Sequence, residues 1–319
     1  MGVNLDKPHL WKADVRLSVD MYNEWFLMFA PKAFRDTRII TTKSVEDSLG
    51  LTDNMRNLNG PMIRFHPSIL STLRMSTCPP IAVDRLVGLA DVSSTLVKQM
   101  EKNGRVPPRL AKDAIDQDLD KIAAIVLKMA DPDIFVWLTR GDEPTREETH
   151  RAATIVADRL CGSVANPIIR NAQEIRQLAA IEDWLETRGY TKVPAGQRVD
   201  FRAMTPGTFS FRLNVKVQAG TTKDVNIPVD AVIMPRTAKK GQLPILIEAK
   251  SAGDFTNTNK RRKEEAVKMA QLRAAYGPTV QFVLFLCGYF DSGYLGYEAA
   301  EGIDWVWEHR IDDLALLGL

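Results

Sequence analysis

Three side chains in the second half of the sequence have the types and spacing of a metal-assisted hydrolytic centre. Asp230 stands in an otherwise apolar segment, and Glu248 and Lys250 follow in the string ILIEAK. If the two segments pair as strands, Asp230 and Glu248 present the hard oxygen ligands that Mg²⁺ prefers. Such an ion neutralises charge on a scissile phosphate and activates water, and a neighbouring lysine can orient that water. The same pattern also fits a surface ion pair.

Alternation along the two segments predicts the direction of each side chain. The odd-numbered apolar residues of 225–233 are expected on one face of their strand, with Asp230 on the other. In ILIEAK, Glu248 and Lys250 are expected to share a face opposite the layer that contains Ala249. The predicted metal ligands are Asp230 and Glu248, together with Ala249, which follows Glu248 in the sequence.

A compact basic cluster follows at the start of a helix predicted over Asn259 to Tyr276. Cations are unfavourable at a helix N-terminus, so the cluster indicates another use for its charge. Contact with nucleic-acid phosphates is such a use, although a solvated face paired with Glu264 and Glu265 is the alternative. The predicted DNA contacts are Ser251, Asn257, Asn259, Lys260, Arg261, Arg262 and Lys263.

The elements that must position these residues fall into two halves. Up to about residue 165, apolar residues recur at helical spacing. The helices predicted there are Ser18–Phe29, Val83–Met100, Asp116–Met129 and Arg146–Leu160. A further helix is predicted to begin at Asn166 and Pro167 and to end near Gly189. The period then changes to two. The predicted order is three strands in a meander (208–217, 225–234 and 245–250), a charged helix, and a strand over 281–287.

Composition and missing motifs exclude several other classes of protein. The chain has 42 Lys and Arg against 40 Asp and Glu, a net charge of +2, so any DNA-binding surface must be local. Three dispersed cysteines and four histidines without ligand spacing encode neither a disulfide framework nor a zinc site. The strings GxGxxG, GxxxxGK[ST] and GxSxG are absent. No apolar run approaches the ~20 residues of a membrane span, and no export or lipidation signal is found, so we expect a cytoplasmic protein without membrane association.

Longer strings carry a resemblance to a known family. The segments PVDAVIMP, LPILIEAKSAGDFTNTNKRRKEEAVKMAQ and VQFVLFLCGYF resemble the type II restriction endonucleases of the XamI and SalI kind, within the PD-(D/E)XK nuclease superfamily. RMSTCPPIAVDRLVGLADVSSTLVKQME and RAATIVADRLCGSVANPIIRNAQEIRQLAAIEDWL extend the likeness over nearly the whole chain. The resemblance implies a Mg²⁺-dependent homodimer that cleaves both strands of a short palindrome, GTCGAC. It places the active site at Asp230, Glu248 and Lys250, with PVD where the family motif has PD.

The resulting prediction is an α/β protein with a restriction-endonuclease-like mixed β-sheet core flanked by helices. Residues 1–165 are expected to form an α-helical region for DNA recognition and dimerisation, and residues 166–319 the catalytic core. Folds of this kind often add an acidic residue from the helix before the sheet. Glu174, Glu182 and Glu186 are candidates for that role, and Glu182 is our choice.

The expected partners are double-stranded DNA, a second copy of the chain, and a cognate DNA methyltransferase that belongs to the same system but is not a subunit. Two alternatives keep the same fold: a structure-specific junction or repair nuclease, and a catalytically silent DNA-binding protein. A small-molecule phosphodiesterase is a third. The residues that would read bases are not separable from other surface residues by pattern.

Overall fold

The structure is a computed structural model that describes residues 2–108, 112–194, 200–219, 223–256 and 258–319, with the side chains of 112, 218–219, 223–224 and 258–261 outside the description. Its helices are α1 Pro8–Leu51, α2 Gly60–Phe65, α3 Leu70–Met75, α4 Val83–Ala90, α5 Ser94–Asn103, α6 Lys112–Lys128, α7 Val136–Arg140, α8 Arg146–Thr187, α9 Thr258–Tyr276 and α10 Ser292–Ala300. Its strands are β1 Thr191–Lys192, β2 Thr208–Ala219, β3 Lys223–Ile233, β4 Ile245–Ala252, β5 Phe282–Gly288 and β6 Asp304–Trp307. Short 3₁₀ segments occupy Pro67–Ile69, Phe201–Ala203 and Glu308–Leu317.

The chain forms two compact units, one of residues 30–169 and one of residues 1–29 together with 170–319. These bounds differ from a division at residue 165, because the first residues belong to the unit that contains the sheet. The backbone N–H of Asn4 donates to the Asp304 carboxylate at the start of β6, at 2.9 Å. The N–H of Gly288, at the end of β5, donates to the Ser18 hydroxyl at 2.7 Å. The N-terminal segment is therefore fastened to the sheet edge and its strand ends.

The unit of residues 30–169 is helical around a buried core that includes Leu70, Leu119 and Trp137. The helix predicted over Val83 to Met100 is two helices, α4 and α5. The reason is local, because Asp91 adopts a left-handed conformation (φ 50°) that ends α4. Within the described part of the chain, no helix combines the length and the apolarity that a bilayer crossing requires.

Helix α8 runs without a break through the point where we predicted a new helix to begin. Pro167 lies inside it, although an interior proline removes one hydrogen bond and costs about 3 kcal/mol. Apolar burial on both sides of the proline offsets this cost. Ala153 and Val156 are buried before it, and Ile181 and Leu185 are buried after it.

The sheet has the strand order β1-β2-β3-β4-β5-β6 among the described residues. Strands β2, β3 and β4 are antiparallel neighbours, which confirms the predicted meander, while β1 with β2, β4 with β5 and β5 with β6 are parallel. One side of the sheet, here called the α9 face, packs Val229, Leu246 and Leu284 with Met269 and Leu272 of α9. The opposite side, the α8 face, packs Ala231, Ile247 and Phe285 with Ile181 and Leu185 of α8.

Candidate active site

The candidate site lies where β3 and β4 stop pairing. Their ladder runs from Ile233 opposite Ile245 to Ala231 opposite Ile247, and the described residues show no further pair. Strand β4 itself continues, paired with β5 as far as Ala252. At the next position a side chain takes the place of a backbone acceptor: Asp230 Oδ2 accepts a hydrogen bond from the backbone N–H of Ala249 at 2.8 Å. The end of the ladder leaves space for ligands between two strands.

Strand alternation fails at Asp230, so the prediction that the odd residues of 225–233 share one face is wrong. Ile227 and Val229 belong to the α9 face, whereas Ala231 and Ile233 belong to the α8 face. On the neighbouring strand, Arg212 lies between residues paired with 229 and 231 and has a φ of 53°. A non-glycine residue with positive φ is strained, and such residues concentrate at functional sites. The distortion occurs where Asp230 reaches across to β4.

Glu248 and Lys250 project to the α9 side of β4, whereas Ile247 is buried on the α8 face. The Lys250 ammonium lies 2.9 Å from Glu248 Oε1. Two residues of α9 that sequence reasoning did not assign to the site complete the cluster. Lys250 Nζ is 3.3 Å from Glu265 Oε1, and Lys268 Nζ is 2.5 Å from Glu248 Oε1.

The spacing of these two residues in the sequence already indicated that they lie on one face of the helix. Glu265 and Lys268 are three residues apart on a helix and therefore share a face. The buried Met269 and Leu272 show that this side of α9 is turned toward the sheet. The sequence left a solvated face paired with Glu264 and Glu265 as the alternative to phosphate contact, but Glu265 is fully buried.

Burial and like charge shift the pKa values of the acidic groups. Burial, followed by repulsion from Glu248, raises the pKa of Asp230 to about 6. Burial also raises the pKa of Glu265. Glu298 of α10 is 0% exposed, and burial followed by the charge of Glu265 raises its pKa to about 8. Burial by itself would lower the pKa of Lys250, but the carboxylates of Glu248 and Glu265 outweigh it and raise the pKa.

The acidic pair fits a small divalent cation by its donor chemistry. Among the described residues, no group of three His, Cys, Asp or Glu side chains is arranged to hold a metal ion. Mg²⁺, however, is commonly bound through one or two carboxylates while it keeps several waters. Glu248 is only 5% exposed, and its Oε2 has no hydrogen-bond partner among the described residues. A buried carboxylate oxygen without a donor needs a positive ligand, so Asp230 and Glu248 suit such an ion.

Two glutamines of α8 hold the end of β4 in place. Gln177 Nε2 donates to the backbone carbonyls of Lys250 at 3.3 Å and Phe285 at 3.2 Å. The Ser251 hydroxyl donates to Gln173 Oε1 at 2.8 Å. Ser251, a predicted DNA contact, therefore also links β4 to α8. These side-chain contacts position the strand that carries Glu248 and Lys250.

Glu182 and Glu174, two of the candidate glutamates of α8, have different partners. Glu182 forms a salt bridge with Lys192, with Nζ 2.7 Å from Oε1. Glu174 lies 2.8 Å from the Arg212 guanidinium, and its charge is one of the causes that raise the pKa of Asp230. Of the three candidates, Glu174 is therefore the one whose charge the structure brings to bear on Asp230.

The basic cluster is only partly within the described structure. Asn257 lies outside the described residues. Asn259, Lys260 and Arg261 belong to the first turn of α9, and their side chains lie outside the description. The Arg262 guanidinium stands 3.6 Å from the centroid of the Tyr297 ring. Lys263 is exposed.

The helical first half, the mixed six-stranded sheet and the acidic pair beside a lysine fit a restriction-endonuclease-like fold. Comparison with known proteins agrees. Residues 53–307 match the family model of the XamI restriction endonuclease. The chain is 56% identical over 316 residues to the type II restriction enzyme SalI of Streptomyces albus G, covering 99% of both chains.

A second relative is more distant. The chain is 25% identical over 211 residues to the type II restriction enzyme XamI of Xanthomonas campestris pv. amaranthicola, covering 66% of this chain and 68% of that one. Among solved structures, protein VC1899 from Vibrio cholerae matches with a TM-score of 0.28 at 12% identity. The match covers 90% of this chain and 56% of that one.

The chain belongs to the XamI restriction endonuclease family. It is a type II restriction endonuclease, a site-specific deoxyribonuclease whose substrate is DNA. The predicted family, fold class and enzyme class are therefore confirmed. The roles of individual residues remain predictions.

Proposed function

We propose that this endonuclease cleaves both strands of the palindrome GTCGAC in the presence of Mg²⁺, with Asp230, Glu248 and Lys250 as its catalytic residues. One observation carries the proposal. The acidic pair and the lysine converge at the end of the β3–β4 ladder in a chain that is 56% identical to a SalI enzyme over its whole length. The target sequence follows from the family resemblance.

Asp230 and Glu248, with Ala249 beside them, would hold the cation. When bound, Mg²⁺ supplies neutralisation of charge on the scissile phosphate and a lowered pKa for an attacking water. The hydrogen bond from the Ala249 N–H orients Asp230 by fixing one carboxylate oxygen and leaving the other for binding. The Asp230 carboxyl, with a pKa of about 6, is ionised at neutral pH and available as an anionic ligand.

Lys250 places a positive charge at the same point. Its ammonium is held between Glu248 and Glu265, at 2.9 and 3.3 Å. A fixed ammonium there can donate a hydrogen bond to the attacking water or to a phosphate oxygen on which charge develops. For the additional acidic residue, Glu182 is the prediction from sequence, whereas the charge of Glu174 on Asp230 favours Glu174.

Contact with the DNA backbone is proposed for Ser251 and the basic start of α9. The helix begins at Thr258, so its first N–H groups can face an anion, and Lys263 is exposed beside them. The remaining proposed contacts are Asn257, Asn259, Lys260, Arg261 and Arg262. Because Arg262 already stacks on Tyr297, its contact would use the free edge of the guanidinium.

The enzyme is proposed to act as a homodimer, because a two-fold symmetric target is most simply cut on both strands by a two-fold symmetric protein. Residues 1–165 are proposed to contribute DNA recognition and dimerisation, and residues 166–319 catalysis. A cognate methyltransferase would protect host DNA without being a subunit.

The test is digestion of long unmethylated linear DNA with the purified protein and Mg²⁺, beside a control with EDTA. The ends of the fragments are then sequenced. We expect discrete EDTA-sensitive fragments whose ends share GTCGAC. Retarded but uncut DNA would instead identify a silent binding protein, and fragments with another common sequence would refute the proposed target.

A further inference from the structure

Lys268 of α9 contacts the proposed metal ligand directly, although no motif assigns it to the site. Its Nζ and that of Lys250 both approach the same atom, Glu248 Oε1, at 2.5 and 2.9 Å. Two ammonium groups therefore neutralise one carboxylate that is nearly inaccessible to water. A buried carboxylate is costly to ionise unless it is paired, so these lysines stabilise the charge on Glu248.

The two lysines are not equivalent, because their other partners differ. Lys250 has a second carboxylate in Glu265, at 3.3 Å. Within the described residues, no second carboxylate lies within ion-pair distance of Lys268. Loss of the Glu248 contact would thus leave Lys250 paired and Lys268 without a carboxylate.

A divalent cation on Glu248 competes with the lysine at this carboxylate. Both are cations on one carboxylate, with Lys268 at Oε1 and the unpartnered Oε2 open to the divalent ion, and like charges a few ångströms apart repel each other strongly where water is scarce. Lys268 is the lysine expected to move, because Glu265 also holds Lys250, whereas Glu248 is the one carboxylate within ion-pair distance of Lys268 among the described residues. A nearby phosphodiester is the natural new partner for the released ammonium.

We propose, on the basis of the proposed function, that Lys268 is a further active-site residue with two successive partners. Without a divalent cation it occupies Glu248, and once the cation binds it donates to a non-bridging phosphate oxygen of the DNA. It therefore weakens cation binding to the free enzyme and strengthens DNA binding in the presence of the cation. A lysine that only stabilised the fold would not affect these two affinities in opposite directions.

The experiment uses the full chain with Lys268→Met, and with Lys268→Gln in case the first variant folds poorly. Arg273→Met is the matched control, because it removes one cation from the same helix. The Arg273 guanidinium donates to the backbone carbonyls of Glu301 at 2.9 Å and Gly302 at 3.2 Å. Ca²⁺ binding to the DNA-free protein is measured by calorimetry. Binding of a short GTCGAC duplex is then measured by fluorescence anisotropy with saturating Ca²⁺, and the DNA is checked afterwards to be intact.

We expect Lys268→Met to bind Ca²⁺ about tenfold more tightly, equivalent to about 1.4 kcal/mol, while it binds the duplex at least about fivefold more weakly. Lys268→Gln should change both affinities in the same directions, and Arg273→Met should leave both near the wild-type values. Unchanged or weaker Ca²⁺ binding in the Lys268 variants would overturn the inference, as would unchanged DNA binding.

One further variant separates this inference from the proposed function. Glu248→Gln should remove measurable Ca²⁺ binding if Glu248 is a ligand. If Glu248→Gln binds Ca²⁺ as the wild type does, the proposed cation site is wrong and the role of Lys268 falls with it. If Glu248→Gln loses Ca²⁺ but Lys268→Met does not gain affinity, only the inference about Lys268 is refuted.

Discussion

Replacement of Asp230 by asparagine should make the cation-free enzyme more stable while it abolishes cleavage. The Asp230 carboxyl is half-buried near Glu248, and its pKa is raised from 3.8 to about 6. Because the pKa is higher in the folded than in the unfolded protein, the free energy of unfolding is highest below pH 3.8 and falls as the pH rises through 6. At about 1.4 kcal/mol per pKa unit, ionised Asp230 destabilises the fold by about 3 kcal/mol at pH 8.

The stability difference between Asp230→Asn and the wild type should depend on pH. At pH 4.5 most of the folded molecules hold Asp230 protonated, and the same linkage relation gives a cost of only about 1 kcal/mol. Asparagine can still accept the hydrogen bond from Ala249 and carries no charge. The advantage of Asp230→Asn over the wild type should therefore shrink from about 3 to about 1 kcal/mol between pH 8 and pH 4.5.

The assay is urea unfolding in EDTA at both pH values, followed by tryptophan fluorescence, for which the chain has six tryptophans. Asp20→Asn, at a solvent-exposed position of α1, is the control for loss of one negative charge. A variant that is no more stable than the wild type at pH 8, or whose advantage does not shrink at pH 4.5, would refute the assignment of Asp230 as a half-buried carboxylate whose charge destabilises the fold.

Three further predictions concern binding, catalysis and the buried acid of α10. Glu248→Ala should lower the cleavage rate about a hundredfold or more yet still retard DNA on a gel, because it removes a proposed metal ligand and leaves the proposed basic contacts; cleavage at the wild-type rate would contradict this. DNA affinity should fall with salt, and Lys263→Ala should reduce the slope of log K against log salt by about one, whereas an unchanged slope would exclude a phosphate contact. Folding raises the pKa of Glu298 from 4.5 to about 8, so its ionisation lowers the free energy of unfolding as the pH rises between these values. Glu298→Gln should therefore show a smaller loss of the free energy of unfolding between about pH 4.5 and 8. An equally steep pH dependence in both proteins would argue against that assignment.

The strands of the core were predictable because their signal is local. Alternation over 208–217 and the apolar runs of β4 and β5 predicted elements whose bounds the structure confirms within a few residues. The meander followed because β2, β3 and β4 are successive strands with no helix between them. Strand β6 was missed, since four residues in the string DWVW carry too short a pattern to separate a strand from a turn.

Two of the failed predictions have tertiary causes. Pro167 predicted a helix start, but packing on either side of it keeps α8 continuous. Alternation predicted a single face for the odd residues of 225–233, but the distortion at Asp230 and Arg212 moves Ala231 and Ile233 to the other face. Local propensity contains neither effect.

The site was predictable in part for a related reason. The predicted pairing of their strands and the family resemblance brought Asp230, Glu248 and Lys250 together. Glu265 and Lys268 reach the site only because α9 packs its buried face on the sheet, a contact that no local spacing specifies. A pair of charges at helical spacing beside buried apolar residues was the available sign.

The hydrogen bond from Ala249 to Asp230 makes the candidate active site observable without an attached probe. The amide proton of Ala249 has the Asp230 carboxylate as its acceptor, in place of a backbone carbonyl of β3. Its chemical shift and its exchange with solvent therefore report on the ionisation and occupancy of that carboxylate. In a spectrum of ¹⁵N-labelled protein, this single resonance would follow protonation, cation binding and DNA docking in turn, as a spectroscopic reporter that the fold already provides.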